Sequence, residues 1–397
     1  MFAQAAELLW GLFVLLCHGG TMLSAYNRLN ALGFPRRWLK RIGKLMFLWT
    51  VLMPPIALAI LGPERLTPTG NVPLHQWLFS HSSGPPIGVA IYIVSVVVIG
   101  VTQLVPWLLY RPIFGYRRAA SKRQIRVLHR SDLSNRPLAR TRKCRILAKV
   151  PGNQMFDLAI ESIELPIAGL PDHLDGYRLA QFSDVHFTGH VDPEMTRRVV
   201  ELARQWEPSA MVCTGDIIDH ADCLPWIETA FGKAAAPDGC YYILGNHDKR
   251  ISDPEETRER LNALGWIDAG GRCVAANLGG VPSWIIGNEA PWFGRPAAVP
   301  QDERFRLLLS HSPDQIAWAR KWNCPLMLAG HTHGGQGRLP LLGPLLSPSK
   351  YGSRFAGGDF DFPPTTMHVN RGLSGTHLLR LRCRPELSLL TLRHAKA

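Results

Sequence analysis

Five short clusters of carboxylate, imidazole and amide side chains recur through the last two thirds of the chain. In one-letter code they are DVH from residue 184, GDIID from 215, GNHD from 245, SHSP from 310 and GHTHGGQ from 330. Oxygen and nitrogen ligands without cysteine suit divalent ions such as Mn, Fe, Zn or Mg, and not a structural thiolate zinc site. The clusters therefore predict a divalent-metal site.

The number of candidate ligands indicates two ions. Seven side chains qualify: Asp184, His186, Asp216, Asn246, His311, His331 and His333. Seven groups are too many for one ion, but they suit two ions about 3.5–4 Å apart that share a bridging carboxylate. Such a pair lowers the pKa of a bridging water and polarises a phosphoryl oxygen, which suits the hydrolysis of phosphoesters.

Each cluster by itself has an ordinary explanation. An isolated Asp-x-His often caps the end of a strand, and Gly-Asn-His-Asp is rich in turn-forming residues. In GHTHGGQ the two histidines are two residues apart in a turn and can point to two different ions, and the adjacent glycines permit positive φ and close approach of the backbone to metal or phosphate. All five clusters follow predicted strands, and this joint occurrence favours one shared metal site over five unrelated turns.

Apolar runs precede the clusters and predict the strands that position them. Runs of four to seven mostly apolar residues are typical of buried strands. They occupy residues 177–183, 210–214, 240–244, 284–287, 305–309 and 325–329. Helical patterns cover 193–205 and 254–264, the second opening with Ser252 and Asp253 as helix-start residues. The alternation predicts a layered α/β domain whose site is built from loops at the strand ends.

The first third of the chain is apolar and predicts about three transmembrane helices. Uncharged stretches cover residues 8–26, 45–61 and 87–110, and about 20 apolar residues of helix cross a bilayer. A cleaved signal peptide is the alternative for the first stretch, but its N-terminus has no basic residue and Glu7 is acidic. Two spans with a re-entrant or interfacial second stretch remain an alternative, since Pro54 and Pro55 interrupt that stretch.

The basic charge is local and indicates orientation. The chain has a net charge of +13, yet residues 150–397 carry 24 basic and 28 acidic side chains. Residues 28–44 carry six basic and no acidic side chains, and residues 111–149 carry thirteen basic against one acidic. The positive-inside rule then predicts a cytoplasmic C-terminal part. We expect no nucleic-acid partner, and we expect the eight scattered cysteines to be free thiols.

The order of the five clusters resembles that of the calcineurin-like metallophosphoesterase superfamily. Within it, GHTHGGQ is similar to the signature of membrane-attached bacterial phosphoesterases. The resemblance runs from about residue 160 to 392 and includes LDGYRLAQFSDVH and VNRGLSGTHLLRLRCRPELSLLTL. It implies a four-layer α/β/β/α sandwich with a dinuclear site at one edge. We therefore predict a membrane domain at 1–112, a basic juxtamembrane linker at 113–155 and a phosphoesterase domain at 156–397.

The resemblance also implies a role for each site residue. One ion would be held by Asp184, His186, Asp216 and His333, and the second by Asp216, Asn246, His311 and His331. His247 would donate to a phosphate oxygen or protonate the leaving group, oriented by Asp219. That carboxylate matters because an imidazole beside two cations stays neutral unless a neighbouring anion stabilises its charged form.

Together these patterns predict a membrane-bound, dinuclear-metal-dependent phosphoester hydrolase of the cell (inner) membrane. Its partners would be the membrane and a phosphorylated lipid or nucleotide-lipid. Members of the resembled branch hydrolyse UDP-2,3-diacylglucosamine in lipid A synthesis, which makes that compound the leading specific substrate. Leucines at 339–346 and the pair Trp292 and Phe293 would form an apolar lip for acyl chains, or pack as ordinary loops.

Other functions stay open at this point. The chain would otherwise be a phosphodiesterase on another lipid or nucleotide substrate, or a non-catalytic membrane sensor that uses the phosphoesterase fold for ligand binding. The complete set of seven ligands argues against the sensor. A channel or transporter subunit is disfavoured because the apolar stretches hold no buried charge. Metal identity and oligomeric state are left open.

Overall fold

The computed structural model describes residues 2–67, 73–78, 80, 84–109 and 117–395. The chain divides into two compact units, residues 1–116 and 117–397. The predicted boundary between residues 112 and 113 lies outside the described residues, and the three predicted domain limits stay predictions.

Long apolar helices make up most of the first unit. The helices are α1 (Phe2–Asn30), α2 (Arg36–Leu61), α3 (Leu74–Leu78) and α4 (Ile87–Leu109). By length and composition, α1, α2 and α4 can each cross a membrane, which confirms the three apolar stretches predicted from the sequence. The pair Pro54 and Pro55 does not end α2, which continues through both residues to Leu61.

The second unit contains fifteen strands among the described residues. They are β1 (Lys122–Leu128), β2 (Leu158–Ile167), β3 (Arg178–Phe182), β4 (Ala210–Thr214), β5 (Cys240–Ile243), β6 (Ile267–Asp268), β7 (Cys273–Leu278), β8 (Val281–Asn288), β9 (Phe305–Ser310), β10 (Leu326–Ala329), β11 (Arg338–Leu339), β12 (Gly343–Pro344), β13 (Gly358–Phe362), β14 (Thr365–Val369) and β15 (Glu386–His394). Its helices are α5 (Arg130–Leu133), α6 (Arg142–Leu147), α7 (Glu194–Gln205), α8 (Trp226–Phe231), α9 (Pro254–Ala263) and α10 (Ile316–Lys321).

The strands form two large mixed sheets and one hairpin. The first sheet has the order β1-β2-β15-β3-β4-β5-β6, the second has the order β13-β14-β10-β9-β8-β7, and β11 pairs with β12. This arrangement confirms the predicted α/β class, and all six predicted strands and both predicted helices of this unit are present. Seven further strands of the large sheets were not predicted from the sequence, namely β1, β2, β6, β7, β13, β14 and β15.

Alternation along the central strands explains how the layers hold together. In β4, Ala210 and Val212 join a core cluster that includes leucines of β9 and β10, so this core lies between the two sheets. Met211 and Cys213 point the other way, into a core shared with α7, α8 and α9. Period-two alternation with both faces apolar is the pattern of a strand buried between two layers.

Regular structure continues into the stretch that the sequence suggested as a basic linker. β1 pairs antiparallel with β2 along its full length, from Lys122 opposite Glu164 to Leu128 opposite Leu158. Its Arg123 forms ion pairs with the buried carboxylates of Glu161 and Asp359. At least this part of the basic stretch is therefore an edge strand of the first sheet.

Candidate metal centre

Five parallel strands bring the clusters to one edge of the two sheets. β3, β4 and β5 are parallel neighbours in the first sheet, and β9 and β10 are parallel neighbours in the second. Parallel strands end on the same side, so the loops that follow them meet. The first two loops are joined directly, because the amides of Asp184 and His186 donate to the carbonyls of Gly215 and Asp216, each over 2.9 Å.

One group of candidate ligands contains Asp184, His186, Asp216 and His333, whose ligand atoms all lie within 4.8 Å of one another. His186 Nε2 lies 3.5 Å from Asp216 Oδ2 and 3.2 Å from His333 Nε2. His333 Nε2 lies 3.4 Å from Asp184 Oδ1. Both carboxylates are fully buried, so their charge faces the imidazoles and not solvent.

A second group contains Asp216, His311 and His331, again within 4.8 Å. His311 Nε2 lies 3.3 Å from Asp216 Oδ1 and 3.1 Å from His331 Nδ1. The side-chain oxygen of Asn246 lies 3.1 Å from the same His311 nitrogen. All seven candidate ligands thus come together, in two groups that share Asp216.

The outer hydrogen bonds decide which nitrogen of each ring faces the centre. Nδ1 of His311 donates to the carbonyl of Thr214 over 2.8 Å, and Nδ1 of His333 donates to the carbonyl of Ser374 over 3.1 Å. Nδ1 of His186 lies 2.8 Å from Asp219 Oδ2, an acceptor as well. A carbonyl or carboxylate accepts only, so these contacts assign the proton to Nδ1 and aim the Nε2 lone pair inward.

The inward lone pairs lie close to other ring nitrogens, and this spacing shows whether the donor set fits metal ions. The Nε2 lone pairs of His186 and His333 are 3.2 Å apart, and that of His311 is 3.1 Å from His331 Nδ1. Such pairs repel unless a proton or a metal cation lies between them. Asp184 Oδ1, Asp216 Oδ2 and His331 Nε2 are also buried without a hydrogen-bond partner among the described residues. Buried polar atoms are rarely left so, and the donor set fits divalent cations.

The pKa values of the four facing histidines show that the buried carboxylates favour positive charge here. Burial lowers the pKa of His186, but Asp219, Asp184 and Asp216 outweigh it and raise that pKa to about 10. Asp216 similarly outweighs burial and raises the pKa of His311 to about 9. Their facing partners behave oppositely, since burial lowers the pKa of His331 and of His333 to about 3. In each facing pair the pKa of one imidazole is thus raised by the neighbouring carboxylates and that of the other is lowered by burial, so the carboxylates favour positive charge at this place.

A third group lies beside the two ligand groups. Asp219 accepts from Nδ1 of His247 over 2.7 Å and from Nδ1 of His186, so one carboxylate orients both rings. Arg250 also donates to Asp219, and its second terminal nitrogen lies 2.6 Å from His247 Nε2. Burial would raise the pKa of Asp219, but His186 and His247 hold it well below its usual range. The link from Asp219 to His186, and the presence of Arg250, were not predicted from the sequence.

Asp248 is a further residue that sequence reasoning left without a role. Its buried carboxylate accepts from the backbone amides of Asp216, Ile217, Ile218 and Gly245 over 2.7–3.0 Å. It therefore fastens the loop after β4 to the loop after β5. The sequence could have predicted this role, because Asp248 lies in the turn-forming cluster GNHD and Asp in a turn commonly accepts from nearby backbone amides.

Arg380 and the turn before it support His333 from behind. The buried Arg380 side chain donates to the carbonyl of Arg371 over 3.0 Å and to that of Ser374 over 2.5 Å. The Ser374 carbonyl is the one that accepts from His333 Nδ1. The amide of Ser374 donates to the carbonyl of Asp184 over 2.9 Å, so this turn contacts two candidate ligands of the first group.

Trp292 does not form the open apolar lip suggested by the sequence. Its ring packs on His331, with 4.9 Å between ring centroids, and on His311, with 5.3 Å between centroids. The side chain is buried, and Lys249 donates to its carbonyl over 2.7 Å. Trp292 therefore holds two candidate ligands in place and excludes water from their outer side.

The backbone at this edge adopts costly conformations. Five of the seven candidate ligands have φ between 50° and 69°, namely Asp184, His186, Asp216, His331 and His333. Left-handed backbone costs a non-glycine residue about 1 kcal/mol or more. Gly245 permits the close approach, because a Cβ there would lie 2.3 Å from Asp216 Oδ1. Strain of this kind clusters at functional sites, where the surrounding structure holds it.

Comparisons with known proteins agree with this chemistry. The family model of the calcineurin-like phosphoesterases matches residues 177–335. The uncharacterized metallophosphoesterase YkuE of Bacillus subtilis is 31% identical over 239 residues, covering 56% of this chain and 82% of that protein. The phosphodiesterase YaeI of Escherichia coli is 26% identical, covering 58% and 88%. The UDP-2,3-diacylglucosamine pyrophosphatase LpxG of Chlamydia muridarum is 23% identical, covering 55% and 84%.

Proposed function

Because the chain belongs to the calcineurin-like metallophosphoesterase family, we propose that it hydrolyses a phosphodiester or pyrophosphate bond in a lipid-linked substrate at the membrane. The chain is a metal-dependent phosphoesterase, and what we propose is the identity of its substrate. UDP-2,3-diacylglucosamine is the leading candidate, supported by the similarity to the pyrophosphatase LpxG and by three apolar helices in the same chain.

Seven residues would hold two divalent ions. We assign Asp184, His186, Asp216 and His333 to one ion, and Asp216, Asn246, His311 and His331 to the other. The observation that carries this assignment is the 3.2 Å contact between the Nε2 lone pairs of His186 and His333, whose Nδ1 protons are held by Asp219 and by the Ser374 carbonyl. Bound there, the ions supply an activated water and a polarised phosphoryl oxygen.

The chain's own contribution to the reaction lies in His247, Asp219 and Arg250. In the structure, Nε2 of His247 accepts from Arg250 over 2.6 Å, and the His247 side chain keeps 12% of its exposure. Burial lowers the pKa of His247 to about 4, and the Asp219 carboxylate at Nδ1 opposes that shift. For Nε2 to donate to a phosphate oxygen or to the leaving oxygen, Arg250 must release this nitrogen and Asp219 must stabilise the imidazolium. Arg250, which donates to Asp219, adds positive charge next to the developing negative charge.

The proposed location is the cell (inner) membrane, with the hydrolase unit in the cytoplasm. This orientation rests on charge, since the flanks 28–44 and 111–149 are both strongly basic whereas residues 62–86 carry one basic and one acidic side chain. A hydrolase tethered in this way meets an amphiphilic substrate whose phosphate lies in the headgroup layer. No nucleic-acid partner is proposed.

The deciding experiment compares two substrates in detergent-solubilised protein supplied with Mn. UDP-2,3-diacylglucosamine is the lipid, and bis-p-nitrophenyl phosphate is the soluble diester. We expect hydrolysis of both, lost in Asp216→Asn, because that residue is shared by both ligand groups. Hydrolysis of the soluble diester alone would keep the chemistry and reject the lipid. Bound metal with no turnover of either would favour the sensor function.

A further inference from the structure

An exposed group of leucines lies beside the metal centre. Six leucines are exposed there: Leu339, Leu341, Leu342, Leu346, Leu379 and Leu381. Leu341 is the most exposed of the six, at 95%. We call this set the leucine surface. Contiguous exposed apolar side chains of this kind mark interaction sites on soluble domains, whereas single exposed leucines do not.

Two segments of chain build the leucine surface together. The hairpin of β11 and β12 supplies Leu339 to Leu346, and its amide of Arg338 donates to the carbonyl of Leu381 over 3.0 Å. In the second segment, Arg380 points inward to the Ser374 carbonyl while its neighbours Leu379 and Leu381 are exposed. Alternation thus gives one segment an inner side that supports His333 and an outer side that is apolar.

Folding does not require leucine at the tip of the hairpin. Leu341 has φ 62°, in the left-handed region where glycine or asparagine is normally found. Its side chain covers no core, because almost all of it is exposed. The folded state therefore bears two costs at Leu341, the strain of its left-handed backbone and the exposure of its apolar side chain to water. Contact of the side chain with an apolar medium would remove the second cost and so help to offset the first.

Charge around the leucine surface indicates what that medium is. Residues 334–358 and 370–385, which include both segments, carry no acidic side chain. Of their seven basic side chains, Arg380 is buried and Arg371 pairs with Glu161 and Glu386, which leaves Arg338, Lys350, Arg354, Arg382 and Arg384 around the leucine surface. Apolar side chains surrounded by basic ones suit a bilayer with anionic headgroups. A second copy of the chain would present the same basic charge and be repelled.

Chain length indicates that a bilayer is within reach. Seven residues separate Leu109, the end of α4, from Arg117, and a chain of that length spans at most about 28 Å. From Arg117 the chain joins β13, where the amide of Asp361 donates to the Arg117 carbonyl. Ala356, two residues before β13, accepts from the hydroxyl of Thr332 through its carbonyl. Thr332 begins the turn that contains Gly335, and Pro344 of the hairpin packs closely on Gly335.

We propose that the leucine surface docks the hydrolase unit onto the anionic bilayer, so that the metal centre opens next to the headgroups. Leu341 and Leu342 enter the acyl layer, and the surrounding basic side chains contact lipid phosphates. The hairpin begins five residues after His333, and Arg338 donates to the Gly334 carbonyl between them. Docking therefore orients the candidate ligands with respect to the membrane and goes beyond tethering by the apolar helices.

The test measures the depth of Leu341 in a bilayer. Full-length protein with Leu341→Cys, in a Cys273→Ser background, is labelled with an environment-sensitive fluorophore and placed in nanodiscs of phosphatidylcholine and phosphatidylglycerol. Cys273 is replaced because it is the one cysteine of the eight that is not buried. Ile267→Cys is the matched control, since Ile267 is an exposed apolar residue on β6, the opposite edge strand of the first sheet from β1.

We expect blue-shifted emission at position 341 and quenching by lipids with doxyl-labelled acyl chains that is several-fold stronger than at position 267. Equal quenching at the two positions would overturn the proposal. A blue shift that grows with protein concentration, without doxyl quenching, would also overturn it and assign the surface to self-association. The readout needs no turnover, so the docking proposal and the proposed lipid substrate can fail separately.

Discussion

Two buried clusters of histidine and carboxylate side chains occupy the hydrolase unit, and only one has the properties of a metal site. The first is the metal centre at the ends of β3, β4, β5, β9 and β10. The second, which we call the inter-sheet ion cluster, consists of Arg123, Glu161, Asp359, His368, Arg371, Glu386 and Ser388. Both clusters contain three buried carboxylates, so composition and burial do not separate them.

The inter-sheet ion cluster satisfies its own charges. Arg371 pairs with both Glu161 and Glu386, and Arg123 pairs with both Glu161 and Asp359. Each ring nitrogen of His368 meets an oxygen, Asp359 Oδ1 at 2.5 Å and Ser388 Oγ at 2.9 Å. None of its side-chain atoms is left without a partner among the buried polar atoms of the described residues.

The metal centre lacks such internal compensation. Among the described residues, Asp184 and Asp216 form ion pairs only with histidines and with no arginine or lysine. The Nε2 lone pairs of His186 and His333 face each other in the metal centre, whereas both ring nitrogens of His368 face side-chain oxygens. The comparison teaches that missing positive charge and facing lone pairs, more than residue type, distinguish a metal site from a structural ion cluster.

The largest expected effect comes from removing one histidine in each cluster. His186→Ala removes a ligand and a partner of Asp219, so we expect hydrolysis of bis-p-nitrophenyl phosphate to fall by about 10³-fold or more. His368→Ala removes one buried partner from Asp359 and one from Ser388, which keep Arg123 and Glu386 respectively, and we expect a loss of about 1–3 kcal/mol in unfolding free energy. Metal content, measured by elemental analysis, should fall only in His186→Ala. Loss of metal in His368→Ala would erase the distinction between the clusters.

Arg371→Met tests whether the inter-sheet ion cluster is structural. It leaves the buried Glu386 without an arginine and leaves Glu161 with Arg123 alone, and we expect a loss of about 3–5 kcal/mol in the free energy of unfolding. The matched control is Arg260→Ala on α9, which breaks the partly exposed pairs with Glu256 and Glu228 and should cost no more than about 1 kcal/mol. Denaturant unfolding followed by near-ultraviolet circular dichroism measures both. Equal losses would mean that Arg371 contributes no more than a surface pair.

Much of the metal centre could be predicted from the sequence, because its residues lie directly after short apolar strands. Asp216 and His311, for example, follow β4 and β9, and parallel strands carry their loops to a common edge whatever the details of packing. The α/β class and the apolar helices were equally visible, since periodicity and uncharged length are local properties of a sequence.

The parts that were missed depend on contacts between distant segments. Arg123 was counted among the basic residues of a linker, yet it pairs with Asp359, 236 residues away. Arg380 and Ser374 support His333 through backbone carbonyls, which have no signature in side-chain patterns. Trp292 was proposed to face acyl chains because its loop is apolar, and the histidines that it covers come from β9 and β10.

Asp219→Asn tests whether the charge of this carboxylate, and not only its shape, is needed in the metal centre. An asparagine keeps the shape but lacks the charge that faces Nδ1 of His186 and of His247. We expect the turnover number on the soluble diester to fall by about 10²–10³-fold, in the range of a lost general acid. Asp359→Asn is the control in the other cluster and should change turnover little. Unchanged turnover in Asp219→Asn would reject the proposed role of His247.

The smallest expected effect separates support of a ligand from support of the fold. Arg380→Lys keeps a positive charge but cannot hold the carbonyls of Arg371 and Ser374 with two separate nitrogens. His333 then loses the fixed acceptor of its Nδ1 proton, and we expect metal affinity to fall by about 10–100-fold. Excess Mn should restore turnover in Arg380→Lys, whereas it should not restore stability in Arg371→Met. If excess Mn fails to restore turnover while the fold is intact, Arg380 acts on the reaction by some route other than metal binding.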